Sequence, residues 1–547
     1  MKYSNTCFAN QKKDTFIQNN KSTWQYKVSV IKLRMKNAKF IFLVFVLIIF
    51  YFIFTACPVA NEKNNPDNEN DSNHQEQEEV DDQEEEQEEP KNANATITVN
   101  ADVKYQYVRG FGGMSNSFHL SAAPAKYIAM QDIDTMFSPE GLGFKILRIT
   151  LWPYDLDQIT GNKIPQLSGM DNSIYYDIVK WVNSYGGYVL ASPWTPPTEW
   201  KSNQSYLGNG YLLPQHYADY AQYLKNFCQK MYEQDAPIYA ISIQNEPDYP
   251  ASYDGCVWSA EEMRDFFKQN GHFTDGVPGY GNGEAIPAVL TMSGESLEGN
   301  GIIGHDASLD DPTSEKAIDI IGYHIYGFRG TRYANAINRG KETWMTEYNT
   351  NSGDTALYPQ DSSWNFVWLM INDVHHCIAN NDSSAFIWWY AKRFYSFIGD
   401  GSYGTVDGEI LPRGYAISHF AKFATDTYRI NLTASGTLGD GTTAISSDNF
   451  NNFDEVYSAR VTAYISPDGN SISLVLFTPT DTSGNNGIDM GTIKIQLPEG
   501  FEALSATAMR SNSDVKAQAE EVILSSDGNS AYITLPASNI LSVKFCK

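Results

Sequence analysis

The chain has 547 residues, 42% of them hydrophobic and 13% aromatic, with a formal net charge of −26 at pH 7. That is enough apolar material for a large core, and so acidic a balance argues against nucleic acid as a partner. Six cysteines without a Cys-x-x-Cys pair make neither a disulfide framework nor a zinc site of the usual spacing, and there is no glycine-rich phosphate loop or Gly-x-Ser-x-Gly elbow.

Met1–Arg34 is polar and basic. Phe40–Ala56 is an apolar run of 17 residues, preceded by Lys36 and Lys39 and followed by Cys57. A basic stretch, an apolar stretch and small residues before a cut site describe an export signal, for which Met35 is a better start than Met1. Thr55-Ala56-Cys57 is similar to the bacterial lipoprotein cleavage box. Residues 1–57 are therefore expected to be an extension and export signal, with Cys57 lipidated and the body extracellular or held at the cell surface by a membrane anchor. Plain secretion and an uncleaved anchor are the other readings, 17 residues being at the short limit for a span. Residues 58–95 read as a disordered acidic linker. Asn61–Pro90 holds 14 acidic residues and one lysine, about half of the net charge. Such a segment buries too little surface to offset its ordering entropy.

Ile97–Val99 and Lys104–Val108 are short strand patterns, so 96–108 is assigned to strands that join a side domain. From Arg109 the chain alternates. Strands are predicted at Val108–Met114, Phe144–Trp152, Tyr188–Trp194, Ile238–Asn245, Ala288–Gly294, Ile318–Tyr326, Thr343–Thr346 and Ala385–Tyr390. Helices are predicted between and after them, at Tyr175–Ser184, Tyr217–Met231, Ser259–Asn270, Trp364–Ala379 and Gly414–Ala424. The helix at 217–231 repeats apolar residues at steps of three and four, and Ser259 with Glu262 forms a capping box. The strand runs are continuously apolar, as buried parallel strands are. The fold class is thus α/β: a (β/α)8 TIM barrel over 109–430. Seven short strands separated by turn residues make 431–547 a C-terminal β-sandwich side domain, to which the N-terminal strands of the body contribute. Cys228 lies on an apolar helical stripe and reads as a buried thiol, with a Cys228–Cys256 disulfide as the alternative. His375-His376 is assigned to helix packing or solvent.

Two carboxylates stand at strand ends. Glu246, in Gln244-Asn245-Glu246-Pro247, follows the fourth strand, and Glu347, in Trp344-Met345-Thr346-Glu347, ends the seventh. A parallel barrel gathers the C-terminal ends of its strands on one rim. Two carboxyl groups facing each other there suit glycoside hydrolysis, in which one protonates the leaving oxygen and the other attacks the anomeric carbon. A lone strand-end glutamate is ordinarily a solvated surface group; the pair on strands four and seven is what favours catalysis.

At these residues the chain resembles glycoside hydrolase family 30, most closely its bacterial glucuronoxylanase branch. The resemblance is carried by Gly110–Met114, Leu147-Arg148-Ile149, Ala191–Pro197, Tyr239–Tyr249, His324–Gly327, Trp344–Glu347, Trp388-Trp389-Tyr390 and Arg413-Gly414-Tyr415. It implies a retaining endo-β-1,4-xylanase that acts on xylan as a monomer without cofactor or metal. Glu246 would be the acid/base and Glu347 the nucleophile. Asn245 would hold the sugar 2-hydroxyl, Arg148 would orient Glu347 and hold its pKa down, and Tyr326 would hydrogen-bond it. Trp194 and Trp388 would be sugar platforms, with core packing as their bland reading, and Trp258 a weaker contact on the leaving side. Arg393 and Tyr395 match the pair that binds the carboxylate of a (4-O-methyl)glucuronic acid branch; the competing reading pairs Arg393 with Asp400. Two departures stand out. Tyr348–Ser352 lacks the double tyrosine of that branch, leaving Ser352 as a substitute hydroxyl, and the loop 153–171 is longer. The alternatives are a family 30 glycosidase on undecorated xylan or another β-glycan such as a β-1,6-glucan, and a non-catalytic surface glycan-binding protein. Retention of both glutamates speaks against the last.

Overall fold

The computed structural model describes residues 92–115, 128–156, 161–167, 172–350, 364–436, 445–446, 459–479 and 488–547. The export signal, Cys57, the acidic run at 61–90 and Ser352 lie outside these residues. Among the described residues no helix is long and apolar enough to cross a membrane.

Eight parallel strands run in the order Gly110–Met114, Ile146–Leu156, Tyr188–Pro193, Ala240–Ser242, Leu290–Ser296, Ile320–His324, Glu342–Glu347 and Ala385–Trp388. The eighth pairs back onto the first, with Ala385 opposite Gly110, and the first pairs with the second, so the barrel is closed. The barrel strands are counted from one to eight below in this order. Their side chains are buried almost throughout, which is why their sequences do not alternate. Gly112 shows how tightly strands one and two meet: a Cβ there would stand 1.7 Å from the Ile146 carbonyl oxygen.

Helices form where the apolar period is near 3.6. Tyr217–Glu233 buries Tyr217, Tyr220, Leu224, Phe227, Cys228 and Met231. Ala260–Asn270 starts on the predicted box: the Ser259 hydroxyl accepts from the Glu262 N–H at 3.2 Å, and Glu262 accepts from the Ser259 N–H at 2.7 Å. Such a box stabilises a helix start by about 1 kcal/mol. The loop after strand two is no plain loop. Strand two runs on to Leu156 and turns back as Lys163–Leu167, an antiparallel hairpin raised on the rim. Its length in sequence reflects added structure.

Apart from a two-stranded ribbon of Gly279–Gly281 and Glu284–Ile286, the remaining strands form one mainly antiparallel sheet in which Ala95–Val108 lies between Thr427–Gly436 and Gly491–Gln496. The first and last parts of the body therefore share a sheet, and the last barrel helix ends at Ala424, just before the strand at 427. The sheet is pinned to the barrel by helix Pro412–Ala424. Its buried His419 bridges Ser542 (2.8 Å) and Ser511 (2.9 Å) of the sheet. Burial holds the imidazole neutral, down at about 3, so it can serve both hydroxyls without a charge. His375 and His376 are buried as well. Cys228, Cys256, Cys377 and Cys546 are all free thiols, so the Cys228–Cys256 disulfide is not formed; the first three are buried.

Candidate active site

At the C-terminal rim of the barrel, five charged side chains meet in an almost dry cluster. Glu246 follows strand four. Its backbone is left-handed (φ 48°), which costs a non-glycine residue about 1–3 kcal/mol. The cost is borne because neighbouring strands fix the turn. The Asn245 N–H donates to the Pro193 carbonyl and the Glu246 N–H to the Glu295 carbonyl, both at 2.9 Å. Glu347 ends strand seven. Arg148 Nη1 donates to its Oε2 at 2.5 Å and the Tyr326 hydroxyl donates to its Oε1 at 2.9 Å. One oxygen of each glutamate and a ring nitrogen of His324 all lie within 4.8 Å of one another.

Arg148 is the centre of this network. Besides Glu347 it reaches Asn245 Oδ1 at 2.6 Å, Ser192 Oγ at 3.0 Å and Glu295 Oε2 at 2.9 Å. A planar guanidinium offers five donors in a fixed fork, against three on an ammonium, and so can hold several acceptors in set directions. The indole of Trp194 covers it, 4.9 Å from the guanidinium carbon. Glu295, at the end of strand five, is fully buried. It fits because strand six carries Gly322, where a Cβ would come within 2.7 Å of the Glu295 Cγ.

The electrostatics follow from this packing. Burial alone would raise the Glu295 carboxyl, but Arg148 and His324 hold it down at about 2. Burial would lower His324. The charge of Glu347 and its contacts with Glu246 (3.2 Å) and Glu295 (3.9 Å) instead raise it to about 9. Held at about 9, His324 is a cation within the cluster at neutral pH. For Glu347, burial is the largest influence. It and the charge of Glu246 keep the carboxyl above the ordinary range against the pull of His324 and Arg148. Arg148 does pull the value down, as expected from the sequence, but burial and the charge of Glu246 outweigh it.

This arrangement has a consequence for stability. His324 has a folded pKa near 9 against 6.5 when free. Its contribution is fully present below pH 6.5 and is lost as pH rises through 9. The denaturation midpoint is expected to fall across that window by the equivalent of about 3 kcal/mol, and in His324→Asn to stay flat. Chemical denaturation at pH 6, 7.5 and 9.5 measures it.

The structure brings Glu246, Glu347, Asn245, Arg148 and Tyr326 together and places other predicted residues elsewhere. Trp258 is core. Its ring stacks on Tyr217 (5.8 Å) and meets Phe266 edge-on (5.6 Å) beneath the loop after strand four. Trp388 is fully buried between Tyr348, Phe397 and Arg413. As the last residue of strand eight it faces the helices, and the half-exposed indole on the rim is its neighbour Trp389. Trp194 lies under Trp389, ring centroids 6.0 Å apart, with its face spent on Arg148. Neither predicted platform offers a face to a sugar. Arg393 and Tyr395 are each 2% exposed, and Arg393 Nη1 is bonded to the buried Asp400. The competing reading of Arg393 is the one the geometry adopts. Arg413 anchors this loop by donating to the Tyr395 carbonyl (2.8 Å) and to Thr350 Oγ1 (3.1 Å).

Three residues were not singled out from the sequence. Glu295 obeys the same rule as the chosen pair, a carboxylate closing a strand. His324 precedes Tyr326 by two residues on strand six. Tyr253, whose hydroxyl donates to Glu246 Oε2, sits in a loop with no local signal.

Comparison with known proteins adds the following. Residues 170–329 match the family model described as the glycosyl hydrolase family 30 TIM-barrel domain. The chain is similar to glucuronoxylanase XynC of Bacillus subtilis, 29% identical over 339 residues, covering 60% of this chain and 70% of that protein. The strain 168 counterpart is 28% identical over 354 residues, 63% and 74% of the two chains. Among solved structures it resembles the family 30 subfamily 8 xylanase Xyn30A of Clostridium acetobutylicum. That match has a TM-score of 0.64 and 24% identity over 83% of this chain and all of the other. The endo-β1,6-glucanase BT3312 matches with a TM-score of 0.56 and 19% identity, over 83% and 94%. At these identities the solved structures establish a shared fold.

Proposed function

Because residues 170–329 match the family 30 barrel model and the chain is similar to glucuronoxylanase XynC, we propose that it is a family 30 glycoside hydrolase, a retaining endo-β-1,4-xylanase that cleaves glucuronoxylan. Glu347 attacks the anomeric carbon while Glu246 gives its proton to the departing sugar oxygen, leaving a glycosyl ester on Glu347. Glu246 then takes a proton from water, the hydroxide attacks the same carbon, and Glu347 is released. The observation that carries this reading is the approach of the two carboxylates to within 4.8 Å. An approach of one oxygen from each carboxyl group this close is compatible with the roughly 5–5.5 Å carboxyl separation of retaining enzymes. Arg148 and Tyr326 keep a lone pair of Glu347 aimed at the sugar. Arg148 also binds Asn245 Oδ1, which turns the amide NH2 outward as a donor for the sugar 2-hydroxyl.

The similarity to glucuronoxylanases supports an acid branch in the substrate. In this reading Arg393 exchanges Asp400 for the glucuronate carboxylate, a trade of one charge-assisted bond for another. The buried Arg393–Asp400 pair also favours a second reading, an enzyme on undecorated xylan in which Arg393 is structural. Product analysis on glucuronoxylan against debranched arabinoxylan separates them. Products with the acid at one fixed position from the reducing end are expected, and random products support the second reading. Arg393→Ala should lose at least about tenfold in kcat/KM on glucuronoxylan and far less on plain xylo-oligosaccharides. Equal losses on both would remove the glucuronate role.

A further inference from the structure

The loops after strands two, three and four carry aromatic rings that no core claims. Tyr206, Tyr249 and Tyr253 are 45%, 41% and 39% exposed, and Trp152 is half-buried. Their backbones are tied together. Leu207 and Asp254 form an antiparallel bridge, flanked by bonds from the Gly255 N–H to the Tyr206 carbonyl (3.0 Å) and from the Gly208 N–H to the Tyr253 carbonyl (2.9 Å). Residues flanking a bridged pair point to the face opposite that pair, so Tyr206 and Tyr253 share one face of the ribbon. The residues across from them, Gly255 and Gly208, have no side chain to cover the rings. At one end Tyr206 meets Trp152, with ring centroids 6.0 Å apart, and at the other Tyr253 meets Tyr249 at 6.3 Å.

The row begins at the catalytic acid. Glu246 Oε1 faces His324, and the Tyr253 hydroxyl donates to the other oxygen, Oε2. The oxygen turned away from His324 is the one that can deliver a proton to a leaving sugar. Tyr253 therefore marks the leaving-group side of the cleft, and the other rings continue outward from it. Exposed aromatic faces with negative π clouds suit the C–H faces of pyranose rings, and their stiffness limits the entropy lost on binding.

We propose that Trp152, Tyr206, Tyr253 and Tyr249 form an aromatic track that binds the sugar units on the leaving-group side of the scissile bond. The proposal rests on the endo-acting reading above. It assigns loops after strands two to four to the released half of the chain. Tyr253 belongs to both the track and the acid: its hydroxyl holds Glu246 and yields to the glycosidic oxygen on binding.

The test compares wild type with Tyr206→Ala and with Tyr206→Ala/Tyr249→Ala on glucuronoxylan. KM is expected to rise about tenfold in the double variant with kcat unchanged and the branch position in the products unaltered. An unchanged KM, or a loss confined to kcat, overturns the track. Titration of xylohexaose into the Glu347→Gln protein, with and without Tyr206→Ala, reads the same contact as a binding constant; equal constants also overturn it. A wild type inert on xylan but active on another β-glycan sinks the xylanase reading instead. The same Tyr206→Ala comparison on that glycan then decides the track.

Discussion

Glu347→Gln is expected to lower the hydrolytic rate by at least about 10⁴-fold while the protein stays folded and still binds glycan. The amide cannot form the ester on which both halves of the reaction depend. The fold should tolerate it because the amide keeps the shape of the carboxylate, and Arg148 still has Glu295 beside it at 2.9 Å as a charged partner. Loss of activity with an unchanged denaturation midpoint is therefore the expected combination. Azide separates the two glutamates. In Glu347→Ala it replaces the missing nucleophile directly and gives an α-glycosyl azide, with inversion. In Glu246→Ala it attacks the glycosyl-enzyme and gives the β-azide, with retention. An α-azide from the Glu246 variant would reverse the roles assigned here.

What the sequence reveals of this site depends on how local each feature is. The barrel is legible because continuous apolar runs and amphipathic helices are written within single elements. Glu246 and Glu347 are legible because a carboxylate ending such a run has no packing reason to be there. The same logic reaches Glu295, yet in sequence nothing separates a buried ion-pair partner from a rim carboxylate; only the glycine on strand six makes room for it. The tryptophans fail for a related reason. Trp388 ends strand eight and Trp389 follows it, and a one-residue difference exchanges core for rim. Trp258 follows a catalytic loop in sequence but closes over the aromatic face of the helix at 217–233. The state of Arg393 turns on a contact with Asp400, seven residues on, which composition cannot rank against an absent ligand.

Arg148→Ala is expected to be the most damaging single change in the barrel. Its four polar partners lie at the ends of four other strands: Ser192 on three, Asn245 after four, Glu295 on five and Glu347 on seven. Removing it leaves Glu295, which is fully buried, and Glu347 with His324 as the nearby cation among the described residues. Breaking a buried ion pair from one side costs about 3–5 kcal/mol, because the remaining charge is stranded in a medium that solvates it poorly. Adding Glu295→Gln to Arg148→Ala should recover a good part of that loss, since it removes a stranded charge and keeps the shape. Arg148→Lys isolates geometry from charge. One ammonium cannot reach four acceptors at these angles, so Glu347 and Asn245 lose their alignment while the cluster keeps its charge. A small fall in the denaturation midpoint with about a hundredfold loss of kcat is expected. If the lysine variant instead matched wild type in kcat, Arg148 would be acting through its charge alone, and the alignment of Glu347 and Asn245 would have to come from Tyr326 and the strand ends themselves.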